Sequence, residues 1–159
     1  MARHQGAATR LAAVIAGSAD AEDIAQEAFV KAYYALYRFD DGAPFSPWLL
    51  RIVANEARNH RRSSGRRARL ARMVSAGGRI ATPEDVAVAN DRRATLLEAL
   101  DALPERDRLV LSCRFLLGLS EAETAVALEC APGTVKSRTS RALDRLRVQL
   151  EPMGSSVDG

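Results

Sequence analysis

The chain has 159 residues, 47% of them hydrophobic, 27% charged and 5% aromatic, with a net charge of +3. Alanine (29) and leucine (18) dominate the apolar set while valine and isoleucine together supply 15, a balance that favours helices over strands. Collagen-like, disulfide-stapled and low-complexity classes are excluded, and no apolar run nears the roughly 18 residues of a membrane span or forms a signal-type segment at the start.

In chain order, residues 7–16 predict a short helix that Gly17 stops, because glycine accepts the left-handed conformation at a helix end. Asp20 can cap a second helix with Asp23 three residues on, a weak capping box whose acids suit the positive helix end. Ile24, Ala28, Ala32, Ala35, Leu36 and Phe39 recur at helical spacing as one apolar stripe. Asp23, Gln26, Glu27, Val30 and Tyr34 share the other face. Residues 40–44 have turn composition, and a third helix is expected over residues 46–62. Ser63, Ser64, Gly65 and later Gly77 and Gly78 read as interruptions, so residues 64–93 are expected to be a linker. Within it, Thr82-Pro83-Glu84-Asp85 can start a short helix.

Residues 94–103 predict a helix broken by Pro104. The next spans 105–117, with Leu109, Val110, Cys113, Leu116 and Leu117 on its apolar face, and Gly118 ends it. Ser120 and Glu123 form a good capping box for a short helix, and a tight turn over 129–133 leads into a helix from Thr134 to about Gln149. On this last helix Val135, Thr139, Ala142 and Leu146 line one side, and Lys136, Ser137, Ser140 and Arg141 the other. A capped helix, a turn and a longer cationic helix make a helix-turn-helix pattern, whose chemistry suits a DNA major groove.

The small net charge conceals segregation. Residues 58–72 hold seven arginines and no acid, residues 136–147 hold five cations and one acid, and residues 20–27 hold four acids and no base. Two basic segments suggest a polyanion partner, and the acidic one a basic or polar protein partner. Cys113 and Cys130 are 17 apart with no CxxC, which fits neither a zinc site nor a disulfide framework. No cofactor, metal site or catalytic residue is expected.

The string from Leu103 to Arg147 resembles region 4 of bacterial sigma factors of the extracytoplasmic function (ECF) group. Leu103-Pro104, Gly118-Leu119-Ser120 and Gly133 to Arg138 carry the likeness. Asp20 to Asp40 and Pro44 to Arg62 resemble region 2. The resemblance implies an all-α chain of two small helical domains. Residues 1–63 would be a region 2-like three- to four-helix bundle, 64–93 a linker, 94–150 a region 4-like helix-turn-helix bundle and 151–159 a tail. It implies a cytoplasmic, non-enzymatic transcription initiation factor, with promoter DNA and core RNA polymerase as partners through the largest-subunit clamp helices and the flap. An anti-sigma factor is the implied regulator.

Residue by residue, the likeness implies that Asp23, Gln26 and Glu27, with Phe29 and Tyr33, dock on the clamp helices. Arg51, Asn55, Arg58, Asn59, Arg61 and Arg62 would read the melted −10 strand, where amides meet base edges and cations follow the backbone. Thr134, Lys136, Ser137, Ser140 and Arg141 would read the −35 duplex, with Val135, Ala142 and Leu146 in the core. Trp48 reads as a core or pocket-wall residue before a stacking platform.

Three departures from the family pattern stand out. Pro132 sits one place late in the turn, Thr124 and Thr139 stand where aliphatic residues are common, and only about 19 residues, none aromatic, precede Asp20. They imply an altered entry to the recognition helix and a looser region 4 core, and at the N-terminus a misplaced start, a trimmed sequence or a short first helix. The alternatives are a stand-alone helix-turn-helix regulator, which would need a ligand pocket or dimer interface in the first half, and a DNA-processing enzyme, which lacks a second catalytic cluster.

Overall fold

The computed structural model describes residues 2–74 and 88–154, with side chains over 2–65 and 92–151. Seven α-helices and no strand occur among them: α1 (Ala2–Ala16), α2 (Ala21–Ala35), α3 (Phe45–Val74), α4 (Val88–Asp101), α5 (Glu105–Leu111), α6 (Glu121–Ala127) and α7 (Pro132–Gly154). The all-α expectation holds. No described helix is long and apolar enough to cross a membrane.

In the first half α1, α2 and α3 pack on one another around Leu11, Ile15, Ile24, Leu49, Leu50 and Val53, with Ala8, Ala28, Ala54 and Ala57 at the contacts. The small alanines let the helix axes approach closely, while each fully buried leucine or isoleucine contributes about 1.5–3 kcal/mol. Gly17 ends α1 at φ +93° as expected. Helix α1 begins at Ala2 rather than residue 7, and His4 packs on Phe45 with ring centroids 5.3 Å apart. That long-range contact holds the extra turn, so the first helix is not short.

Asp20 sits at the N-cap of α2, but its side chain makes no cap bond. The apolar stripe of α2 stops at Ala32, because a 3₁₀ turn over Leu36–Arg38 swings Leu36 outward to 47% exposure. Asp40 then builds the predicted turn, accepting from the Gly42 amide at 3.0 Å through its carboxylate and from the Ala43 amide at 2.9 Å through its carbonyl. Pro47 falls in the first turn of α3, where its missing N–H is no loss.

The largest correction concerns the end of α3. Ser63, Ser64 and Gly65 do not interrupt it, and the helix runs on to Val74. A lone glycine costs a helix only about 1 kcal/mol. The Ser63 hydroxyl donates to the His60 carbonyl within the helix at 2.9 Å, so it does not compete with the helical pattern. Residues 64–74 and 88–93, expected as linker, are therefore helical. Residues 75–87, including the Thr82-Pro83 start signal, lie outside the described residues, as do the side chains of Arg66, Arg67, Arg69 and Arg72.

In the second half Pro104 precedes α5 as expected. One turn of π-helix follows over Ser112–Leu116, with the Leu117 amide donating to the Ser112 carbonyl at 2.9 Å. Widening the turn shifts the helical register, so Leu116 and Phe115 face solvent at 57% and 62% exposure while Cys113 stays buried. Leu116 is thus corrected from the core to the surface. Gly118 ends the segment at φ +65°. The capping box of α6 is complete: Ser120 accepts from the Glu123 amide at 3.1 Å, and the Glu123 carboxylate accepts from the Ser120 amide at 2.7 Å.

Helix α7 starts at Pro132, two residues before the expected Thr134, and runs past Gln149 to Gly154. The displaced proline therefore occupies the first helical position, which suits its fixed φ. Residues 151–154, expected as tail, belong to this helix. Val135 and Ala142 are buried as predicted, and Leu146 packs on the core from its edge. Thr139 resolves its hydroxyl by donating to the Val135 carbonyl at 2.7 Å, whereas the Thr124 hydroxyl is fully buried without a partner.

The halves pack against each other. Helix α3 lies along α6, and α1 touches α5 and the π turn, so the buried residues of both halves form one contiguous cluster.

Candidate nucleic-acid interface

Helix α7 presents Lys136, Ser137, Ser140 and Arg141 exposed along its outer face, with Thr134 half-buried beside them. The buried Val135 and Ala142 pin the opposite face, which fixes the orientation of the cationic one. Arg141 donates to the Ser137 carbonyl at 3.3 Å and reaches its hydroxyl at 3.4 Å, one turn back. No described carboxylate pairs with Lys136, Arg138 or Arg141. Five predicted residues thus share one accessible surface, and its charge is uncompensated. Such a surface can engage phosphates and guanine edges.

On α3, Arg51, Asn55, Arg58, Asn59 and Arg62 follow helical spacing along one face, with Arg61 at its margin. Asn55, Asn59, Arg61 and Arg62 are exposed, while Arg51 and Arg58 are half-buried against the second half. Three of these guanidinium groups face a carboxylate of that half, Arg61 within hydrogen-bond distance and the other two at longer range. Glu105 receives Arg61 at 2.7 Å and Arg58 at 3.8 Å, and Glu129 lies 3.9 Å from Arg51. A cleft of about 690 Å³ separates Arg51 from α6, the turn Glu129–Ala131 and Pro132. Sequence reading found these arginines but not their partners, because the pairings span 44, 47 and 78 residues and leave no local pattern.

At the head of α3, Trp48 meets Phe39 and Phe45 with centroids 5.0 and 5.5 Å apart, and Phe39 meets Phe45 edge-on at 5.5 Å. Half-buried in this cluster, Trp48 is a wall residue that braces the loop leading into α3.

The acid-bearing face of α2 is where sequence placed it. Asp23, Gln26 and Glu27 are exposed and border a hollow of about 490 Å³ with Val30, Lys31 and Glu56. Lys31 pairs there with the Glu56 carboxylate, whose side chain is only 10% exposed. Phe29 and Tyr33 do not join that group. Both line a separate apolar hollow of about 280 Å³ with His4, Leu36 and Phe45, and Phe29 packs against the core. Val30, Tyr34 and Tyr37, at 56%, 73% and 77% exposure, continue the Asp23–Glu27 face instead.

A further surface had no counterpart in the sequence reading. Leu96 and Leu100 of α4, Phe115 and Leu116 of the π turn, and Leu143 and Leu146 of α7 line an apolar hollow of about 250 Å³. The register shift that exposes Phe115 and Leu116 creates it, and nothing in the local sequence signals a π turn. Among the described residues no group of His, Cys, Asp or Glu could hold a metal ion. Burial pushes the Cys113 thiol up to about 12, partly opposed by the nearby Arg58 charge.

Residues 1–67 match the family model for sigma-70 region 2, and residues 93–146 that for sigma-70 region 4. The ECF RNA polymerase sigma-E factor of Escherichia coli strain K12 is 34% identical over 161 residues, covering 95% of this chain and 84% of its own length. Two solved structures share the fold. The sigma factor RpoE of Bartonella quintana, in complex with the anti-sigma factor NepR, superposes with a TM-score of 0.74 at 26% identity, covering 99% of this chain and 95% of that one. CnrH bound to the cytosolic domain of CnrY gives 0.68 at 28% identity, covering 95% and 84%.

Proposed function

The chain belongs to the ECF group of RNA polymerase sigma factors, and we propose on that premise how its residues divide the work of promoter-specific transcription initiation. Residues 1–63 serve polymerase docking and the −10 element, and residues 94–150 the −35 element. Asp23, Gln26 and Glu27 contact the clamp helices of the largest subunit, and Val30 adds apolar area beside them. Arg51, Asn55, Arg58, Asn59, Arg61 and Arg62 hold the melted −10 strand, the asparagines offering amides to base edges. Thr134, Lys136, Ser137, Ser140 and Arg141 read the −35 duplex. The apolar hollow around Phe115 and Leu116 receives the polymerase flap, and an anti-sigma factor covers these faces when the protein is held inactive.

The observation that carries the reading is the uncompensated cationic face of α7, set behind a capped helix and a tight turn in the half that matches region 4. Run-off transcription with core polymerase on a promoter library tests it. Transcripts starting at one promoter class are expected; a protein that binds duplex DNA yet never associates with core polymerase would defeat it. Gln26→Ala with Glu27→Ala is expected to weaken core binding about tenfold while leaving −35 duplex binding intact.

A further inference from the structure

We propose that the packed arrangement of the two halves is a self-closed state, in which Glu105 and Glu129 of the second half occupy the arginines that the −10 strand needs. The inference rests on the −10 assignment given above.

Three observations carry it. First, half of the six residues assigned to the strand are engaged, and they are three of its four cations: Arg51, Arg58 and Arg61 each face a carboxylate of the other half. Second, both acids are held for the purpose by the backbone. Glu105 is the first residue of α5, where the helix end favours a negative charge, and it serves two guanidinium groups at once. Glu129 closes α6 at φ +54°, a left-handed conformation unusual for a residue with a long side chain, and that turn carries it to the cleft beside Arg51. Third, the cations of the exposed α7 face, Lys136, Arg138 and Arg141, have no described carboxylate partner, and the α7 cations that are paired, Arg145 and Arg147, meet acids of their own half.

A carboxylate at a guanidinium takes the place of a backbone phosphate. A strand entering the α3 face must therefore displace Glu105 and Glu129, and the halves must part. The arginine and glutamate side chains stay 27–51% exposed, so each pair is worth only about 0–1 kcal/mol. The pairs therefore bias rather than create the closure, which also joins buried apolar side chains of both halves in one cluster. Closure lowers apparent affinity for the strand by the fraction of molecules that are open and leaves the −35 face available throughout.

The test uses the full chain and a fluorescent single-stranded oligo-dT of about twelve nucleotides, a length that one strand-binding face can span. Glu105→Gln with Glu129→Gln keeps side-chain size and removes both charges. Its affinity for the oligonucleotide is expected to rise about threefold to tenfold. A charge-matched control, Glu98→Gln with Glu151→Gln at exposed positions, is expected to change it less than about twofold. Equal gains in both variants would overturn the closure. Adding Arg51→Ala, Arg58→Ala and Arg61→Ala to the Gln pair is expected to abolish the gain. If the gain survives, the arginines do not hold the strand, and the −10 assignment and the closure both fall. If the arginine changes weaken binding but the Gln pair changes nothing beyond the control, the closure alone falls.

Discussion

Each half carries a run of cations along one helix, and the two runs are set differently. Helix α7 carries Lys136, Arg138 and Arg141 with no described carboxylate beside them, and only Arg145 and Arg147 further along meet acids, Asp107 and Asp144. Helix α3 carries Arg51, Arg58 and Arg61 toward the other half, and acids from that half meet these three. The lesson is that a basic run in sequence does not measure available charge. Residues 58–72 are the densest basic stretch of the chain, yet Arg58 and Arg61 share one glutamate. The sparser run on α7 leaves Lys136 and Arg141 exposed and unpaired among the described residues.

The halves are alike in another respect. Each buries one carboxylate and pairs it with a more exposed cation from a neighbouring helix, Glu56 with Lys31 and Asp107 with Arg145. The two pairs tie α2 to α3 and α5 to α7.

The sharpest way to break the comparison is to ask whether the halves unfold together. Leu109→Ala in the second half and Leu11→Ala in the first should each cost about 3–4 kcal/mol, since both side chains are fully buried. If the shared cluster makes one cooperative unit, urea unfolding shows a single transition that both variants lower. Two transitions, each moved by only one variant, would mean the halves are thermodynamically independent.

Arg145→Ala leaves the Asp107 side chain, 3% exposed, without its partner and should cost about 2–3 kcal/mol in the same assay. Lys31→Ala should cost less, about 1 kcal/mol, because Glu56 retains more solvent. An equal loss would make the two carboxylates equivalent.

Cys113 adds an alkaline difference. Its folded thiol is held up to about 12 against an unfolded 9.0, so folding favours the protonated form. That contribution is complete below pH 9.0 and is lost as pH climbs toward 12, where the unfolded thiol ionises first. Near pH 10.5 it amounts to about 2 kcal/mol, and Cys113→Ala should flatten the fall in stability across that window. Iodoacetamide at mildly alkaline pH should accordingly label the half-exposed Cys130 before Cys113.

A binding measurement separates reading from gripping on the open face. Arg141→Ala should cost about 1–3 kcal/mol on a cognate −35 duplex in a titration and relax preference at one position. An equal loss on every sequence would assign Arg141 to phosphate.

Local signals were legible in sequence. Gly17 and Gly118 end their helices, Ser120 and Glu123 close a complete capping box, and the exposed residues of α7 fall where helical spacing puts them. The errors have two causes. A long-range contact overrides a short-range cue where His4 reaches Phe45 to extend α1, and a short-range cue is too weak where α3 carries through Gly65, since a lone glycine costs a helix only about 1 kcal/mol. The π turn leaves no signature in residue type, so the apolar hollow it opens was invisible. The same holds for Glu105 and Glu129, ordinary acids until the fold brings them to the arginines.

Pro132 at the head of α7 changes what that helix end can offer. A helix start ordinarily points several free amides at an incoming anion. Here proline brings none, and the Thr134 and Val135 amides already donate to the Ala131 carbonyl at 3.0 and 3.2 Å, which leaves Gly133. A phosphate arriving there meets a nearly exhausted donor set, so its anchoring passes from the rigid main chain to the flexible side chains of Thr134, Lys136 and Ser137. If α7 reads a duplex as proposed, that anchoring hinges it to the DNA backbone rather than clamping it, and lets it pivot by a rotamer change while Ser140 and Arg141 find their register.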